Sequence, residues 1–171
     1  ALRLFVLQAN YRKPLDFTEA ALKSAEKGWE GLNSALCFGI KYSEIMKWPA
    51  YKLSEIVNYR LPEIITSNEI NNLLKKFKEA MDNDLNTSGA LAVIFELARP
   101  FRSLSNQIKR QSFNKNNQTE KENLYIRWKL LIDLSGVLGM KPEIENNFSN
   151  PIKQYPKDLE IENAIKERNK A

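Results

Sequence analysis

The sequence predicts an all-α protein, an antiparallel helical bundle of five or six helices joined by short connections. Three observations lead there. Apolar residues recur at spacings of three and four along most of the chain, and no stretch alternates convincingly as a strand does. Glycine is scarce, 6 in 171 residues, which leaves few tight turns for hairpins. Helix-starting residues (Thr, Ser, Asp, Asn) stand just ahead of several apolar stripes, where their side chains can accept from the first free backbone N–H groups.

The elements follow in order. Leu2, Phe5, Val6 and Ala9 form a short stripe closed by Asn10 and by Pro14 beyond. Asp16 and Thr18 offer caps for a long helix from Thr18 to about Phe38, striped by Leu22, Ala25, Trp29, Leu32 and Leu36. Between Cys37 and Leu61 the pattern weakens. Pro49 and Pro62 forbid one continuous helix there, while Leu53, Ile56 and Val57 suggest a short one. Thr66-Ser-Asn-Glu69 reads as a capping box opening the most amphipathic helix, with Ile70, Leu73, Leu74, Phe77, Ala80 and Met81 on one face. Asp84-Leu-Asn-Thr87 breaks that helix, and Asn86 or Thr87 caps the next. Its stripe is Leu91, Ile94, Leu97, Phe101, Leu104 and Ile108, with a kink expected at Pro100. Ser112 to Asn123 is polar, a loop or a frayed helix end. Thr119-Glu-Lys-Glu122 forms a second capping box before Leu124, Trp128, Leu131, Ile132 and Leu138, and Gly139 supplies a left-handed stop. Pro142, Pro151 and Pro156 mark an irregular linker, after which Asp158 caps a last helix with Ile161 and Ile165.

Composition removes whole classes of chemistry. The chain has no histidine and one cysteine, Cys37. It therefore cannot build a Ser-His-Asp triad, a Cys-His pair, a two-His zinc helix or an internal disulfide. Acid–base work would fall to Asp, Glu, Lys or Tyr. Lys and Arg outnumber Asp and Glu by 26 to 21, a net +5, which permits a polyanionic partner without demanding one. The longest apolar run, Gly89 to Ala98, is interrupted by Glu96 and falls far short of the roughly 20 residues that span a bilayer, so no membrane association is expected. Both termini fall within helical patterns and the chain starts without Met, so the sequence predicts a piece of something longer.

The run from Ala80 to Arg99, with Asp82-Asn-Asp-Leu-Asn-Thr87 followed by Ala90-Leu-Ala-Val-Ile-Phe-Glu-Leu-Ala-Arg99, resembles the stretch of cysteinyl-tRNA synthetases in which an acidic "D-D-F-N-T" turn opens a helix reading "A-L-A-V-L-F-E-L-A-R". Three further segments fall in the same order. Ala1-Leu-Arg-Leu-Phe with Tyr11-Arg-Lys-Pro-Leu-Asp-Phe-Thr18 is similar to the segment that follows the family's KMSKS loop. Leu134-Ser-Gly-Val-Leu-Gly139 is similar to the family's "L-S-x-V-L-G". Ile161 to Ala171 is similar to the "I-x-x-L-I-x-x-R-x-x-A" leading into the carboxy-terminal module. The chain departs from the pattern at Leu85, where Phe is usual, at Ser88-Gly89 in place of Pro-Glu, and at Asn10 in place of His.

On this resemblance residues 1–40 correspond to stem-contact helices, 41–66 to an irregular insertion, 67–140 to a DALR-type helical bundle, 141–157 to a linker and 158–171 to the start of the anticodon-binding module. It implies a cytoplasmic class I ligase that activates cysteine with ATP, selects it through a bound zinc, and transfers it to the cysteine-specific tRNA. The histidine and cysteine counts mean that this piece holds neither the HIGH-type signature nor the zinc site. It is expected to be catalytically inactive, to carry no metal or cofactor of its own, and to be monomeric. Its rivals are the related cysteine ligase of mycothiol biosynthesis, which reads no tRNA, and a non-enzymatic helical interaction module.

No catalytic residue is assigned. The RNA-binding candidates are Tyr11, Arg12 and Lys13, where a turn presents an aromatic ring and two cations to a sugar–phosphate backbone, and Arg168 and Lys170 near the anticodon module. Lys75, Lys76 and Lys78, and Lys109, Arg110 and Lys115, read as solvated cations or as phosphate contacts. Trp29 and Trp128 lie on apolar stripes and belong to the core, whereas Trp48 suits base stacking or packing equally. Asp82, Asp84, Asn86 and Thr87 read as helix-capping residues rather than as a cation site, and Cys37 as a structural thiol.

Overall fold

A computed structural model describes residues 1–49, 67–110 and 118–144, with the backbone alone for 118 and 119. All regular structure among these residues is helical: α1 (Leu2–Gln8), α2 (Glu19–Leu36), α3 (Phe38–Met46), α4 (Asn68–Asp82), α5 (Thr87–Lys109) and α6 (Gln118–Val137). The helices expected around Leu53–Val57 and from Asp158 onward, and most of the linker, lie outside the described residues.

Local chemistry sets most of the boundaries. The Thr18 side chain accepts from the Ala21 N–H and starts α2, as expected. Asn86 caps α5 by accepting from the Gly89 N–H at 2.9 Å. Gly139 adopts φ +69 beyond α6, and the Met140 N–H closes back on the Ser135 carbonyl at 2.8 Å, the six-to-one closure of a left-handed helix stop. Four expectations need correction. The first residue ahead of α4 is Ser67, one later than Thr66, and its side chain makes no cap bond, while Glu69 pairs with Arg127. In α1 the buried pair is Leu4 and Phe5, while Leu2 and Val6 are 57% and 51% exposed; the helix is too short for the three-to-four pattern to fix which face turns inward. Helix α3 reaches Met46 but breaks at Tyr42, whose φ of −123 and ψ of 15 are not helical, so the start of the stretch expected to be irregular is helical on either side of a kink. The chain is already helical at Gln118, so Thr119 lies inside α6 rather than capping it. Pro100, where a kink is expected, lies inside α5.

Pro100 lacks the N–H that would bond the Glu96 carbonyl. The vacancy is filled from α6: Arg127 donates through Nη2 to the Glu96 oxygen at 2.8 Å and through Nε to the Leu97 oxygen at 3.3 Å. Its Nη1 pairs with Glu69 on α4 at 2.6 Å. One side chain therefore joins three helices.

Around this clasp, α5 packs against α1, α2, α4 and α6, and α6 also touches α2, α3 and α4. Trp128, Leu130, Leu131 and Ile132 are all buried in succession, so α6 is covered on every side. Trp128 donates to the Leu36 carbonyl at 3.1 Å, satisfying an oxygen in the last turn of α2, and lies 5.9 Å from the Trp48 ring in a stacked arrangement. Trp48 donates to the Lys121 carbonyl at 3.0 Å. The choice left open for Trp48 is thus decided in favour of packing. A Cβ on Gly39 would stand 2.5 Å from the Trp128 indole, so α3 approaches α6 closely only because that residue has no side chain.

Asp133 and Ser135 are the polar misfits on α6 among the described residues, the Ser135 hydroxyl being buried without a hydrogen-bond partner, and Asp133 is the ionisable one. Its Oδ2 is buried without a hydrogen-bond partner. Burial pushes its carboxyl up from 3.8 to about 6, with Lys129 acting in the opposite direction.

Two predictions follow from these contacts. Replacing Arg127 by Met strands the Glu96 carbonyl and should cost about 1.5–3 kcal/mol. Pro100→Ala restores the missing donor, so it should stabilise the Arg127→Met chain more than the parent; urea unfolding of the four-member cycle reads the coupling. For Asp133, the folded state holds its proton to higher pH than the unfolded chain does. Stability should therefore fall as pH rises from about 4 to about 6 and level off above. Asp133→Asn should flatten that slope, read as unfolding midpoints across the same pH range.

Candidate nucleic-acid interface

The connection from α1 to α2 begins as a turn. The Lys13 N–H bonds the Asn10 carbonyl at 2.9 Å, and the Asn10 side chain accepts from the Arg12 N–H at 2.9 Å. Asparagine suits this place because its carboxamide reproduces a backbone turn two residues on. Tyr11 and Arg12 occupy the middle of the turn, and Pro14 holds the chain extended after it.

The turn rests on the joint between α4 and α5. There Asp84 and Leu85 take φ values of 54 and 52, a left-handed pair that reverses the chain in the space before the Asn86 cap. Aspartate tolerates this region, whereas leucine is strained in it, and Leu85 is exposed. Asp84 Oδ1 accepts from the Tyr11 hydroxyl at 2.7 Å and from Arg12 Nη2 at 2.9 Å. The triangle closes as Arg12 Nε donates to the Tyr11 oxygen at 2.9 Å. The guanidinium also lies 5.4 Å from the centre of the Tyr11 ring. The Arg12 and Asp84 side chains are 66% and 49% exposed, so the ion pair is worth at most about 1 kcal/mol.

The structure thus brings together three of the five candidate residues. Tyr11 and Arg12 are fixed to Asp84, and Lys13 is exposed beside them. Arg168 and Lys170 lie outside the described residues, as does Lys115. Asp84 turns out to brace the neighbouring turn, a role the capping reading missed because its partners are distant in the chain. Lys75 pairs with Glu79 at 3.7 Å on the surface, and Lys76 and Lys78 are exposed. Lys109 and Arg110 end α5, where cations suit the negative end of the helix. Cys37 is buried, its Sγ 3.6 Å from the Glu143 carbonyl. Asn33 holds the same segment of 139–144 with a reciprocal pair of bonds to the Glu143 backbone, each 2.8 Å.

A second cationic surface was not singled out in the sequence. Lys27 on α2, with Arg99 and Arg102 on α5, rims an open groove of about 390 Å³ whose lining includes Gly28, Gly31 and Phe95. The signal for it was the spacing of Phe95, Arg99 and Arg102, which places them on one face of α5.

Among the described residues no three His, Cys, Asp or Glu side chains converge as a metal site would need, and no helix is long and apolar enough to cross a membrane.

The family model of the DALR domain matches residues 76–141, which covers the second half of α4, all of α5 and α6, and the Asp84 joint. Over 98% of its length the chain is 44% identical to a cysteine–tRNA ligase of Synechococcus sp. (strain CC9902), covering 34% of that protein. It is 43% identical over 99% of its length to a cysteine–tRNA ligase of Prochlorococcus marinus (strain NATL1A), again covering 34%. The corresponding protein of Trichodesmium erythraeum is 39% identical over 98% of the chain and 32% of its own length. The chain therefore spans about a third of the length of these curated relatives, and its resemblance is to the helical, DALR-bearing part of cysteine–tRNA ligases.

The joint generates a prediction about strain and charge. Asp84→Asn keeps the tolerance for positive φ but loses the charge, and should cost about 0.2–1 kcal/mol, less as salt is added. Leu85→Gly should stabilise by up to about 1 kcal/mol, because glycine removes the left-handed strain. Urea unfolding at two ionic strengths reads both.

Proposed function

We propose that this chain is the tRNA-binding helical portion of a cysteine–tRNA ligase, the whole enzyme attaching cysteine to its tRNA with ATP in the cytoplasm. The observation that carries the proposal is the 44% identity to such a ligase along 98% of the chain, supported by the cationic turn braced on the α4–α5 joint. The ATP- and zinc-dependent chemistry of the whole enzyme is assigned to no residue here. The mechanism left to this portion is positioning. Lys13, and Arg12 when it exchanges its exposed contact with Asp84 for a phosphate, hold the RNA backbone while Tyr11 lies against a ribose or base. Arg168 and Lys170 extend the contact toward the anticodon. A correctly held acceptor end then reaches the distant reacting centre without an entropic search. Phosphate contacts carry no base identity, so selectivity among tRNAs should be weak in this portion. We further propose that the chain is monomeric, since nothing in the reading requires a second copy.

Fluorescence anisotropy tests this with cysteine-specific tRNA and an unrelated tRNA across a salt series. Micromolar binding of both, with log affinity falling steeply against log salt, is the expected result. Lys13→Gln should lower that slope by about 0.7–0.9, and Arg12→Gln by less, because Asp84 already holds part of its charge. Absence of binding even at low salt would overturn the reading.

A further inference from the structure

Glycines inside a helix cost roughly 1 kcal/mol each relative to alanine, so each one in α2 needs a reason. Gly28 has one: a Cβ there would stand 3.3 Å from Leu4 Cδ2 and 4.0 Å from Phe95 Cζ, so α1 and α5 approach α2 at that point. Gly31, one turn on, has none among the described residues, since a Cβ added there meets none of their atoms within 4 Å. The space it leaves open is the floor of the groove between α2 and α5. Phe95 lies part-buried beside it, and Lys27, Arg99 and Arg102 are exposed at its rim. None of the three cations makes an ion pair among the described residues. Among the described residues the one acid lining the groove is Glu96, an exposed carboxylate against three cations, so the lining keeps a net positive charge. The groove's volume of about 390 Å³ lies at the small end of ligand sites, which run from about 300 to 1,000 Å³.

We propose that this groove seats one nucleotide of the RNA backbone, its phosphate held by Lys27, Arg99 and Arg102 and its ribose or base against Phe95 in the space left by Gly31. The proposal rests on the tRNA-binding reading above and adds a second contact surface to it. Three cations around one anionic group supply the affinity, and the aromatic floor supplies stacking that every base can use. The two arginines sit one turn apart on a rigid helix, so their donors arrive already oriented on a tetrahedral phosphate.

Gly31→Leu is the discriminating variant because it fills the groove without changing any charge. In the folded chain the new side chain enters open space, and leucine is the better helix former. Circular dichroism and the thermal midpoint should thus match or exceed those of the parent. Binding to tRNA by fluorescence anisotropy should weaken at least tenfold. In parallel, Arg99→Gln/Arg102→Gln should lower the log–log salt slope by about 1.4–1.8, at 0.7–0.9 for each lost phosphate contact. Lys75→Gln/Lys76→Gln, which makes the same change in net charge on α4, should lower it by less. If the parent binds tRNA while Gly31→Leu binds equally well, the groove is empty in the complex and the inference fails, with the tRNA-binding reading intact. If Gly31→Leu lowers the thermal midpoint, a segment of the protein itself occupies the groove, and the inference fails again. If the parent does not bind tRNA at all, both readings fall together.

Discussion

The interaction on which the bundle depends is the replacement of one missing hydrogen bond. A proline in the middle of a 23-residue helix leaves one carbonyl without its helical donor, and a charged side-chain donor answers such an oxygen more strongly than a neutral one. Arg127 answers the Glu96 carbonyl with a charged donor and then reaches Glu69 on the far side. Because the guanidinium is a planar fork, satisfying these acceptors fixes the relative positions of α4, α5 and α6 together. Pro100 therefore specifies where α6 must lie, by leaving only one group able to complete α5.

The aromatic cluster extends the same logic to the other helices. Trp128 projects from the turn of α6 that carries Arg127, and its N–H closes the end of α2 through Leu36. Phe38 contacts Trp48 and Phe101 at ring separations of 5.7 and 5.2 Å, so α3 and α5 meet in the same cluster. Every indole N–H in this core has a partner, which lets large rings be buried without stranding a donor. Gly39 is the condition that lets α3 lie flat on the indole. Rings and clasp occupy neighbouring turns of α6, so helix packing and hydrogen bonding impose the same register on one another.

Most of this was legible in sequence wherever the determining chemistry is local. Thr18, Asn86 and Gly139 start or stop helices through bonds within a few residues, and the stripes of α2, α4 and α5 name their own buried faces. What escaped was chemistry between distant residues. Nothing in the sequence pairs Asp84 with Tyr11 and Arg12, which lie 73 and 72 positions away, and locally an aspartate before a helix looks like a cap. Glu69 is likewise paired with Arg127, 58 positions away, which a local reading of Thr66 to Glu69 has no means to show. Pro100 promised a gap in the hydrogen-bond ladder of α5, and only the structure reveals the side chain that answers the carbonyl left over. The cationic groove went unread because Lys27 comes from a different helix than Arg99 and Arg102.

The two cationic surfaces sit at different heights along α5, and that separation has a consequence for how the portion would work. Helix α5 starts next to the Asp84 joint, whereas Arg99 lies 12 residues beyond Thr87, roughly 18 Å at 1.5 Å per residue. An RNA backbone crossing that distance would pass several phosphates, so on the proposed reading the braced turn and the groove would engage different nucleotides. Contacts this far apart without shared partners contribute additively, provided the helix between them is stiff. Stiffness is what the Arg127 clasp supplies, since Pro100 falls next to Arg99. A chain lacking the clasp would keep Arg12, Lys13, Lys27, Arg99 and Arg102 and lose the fixed distance between them. Its contacts would each still form, but no longer at one spacing, and a positioning element acts through that spacing.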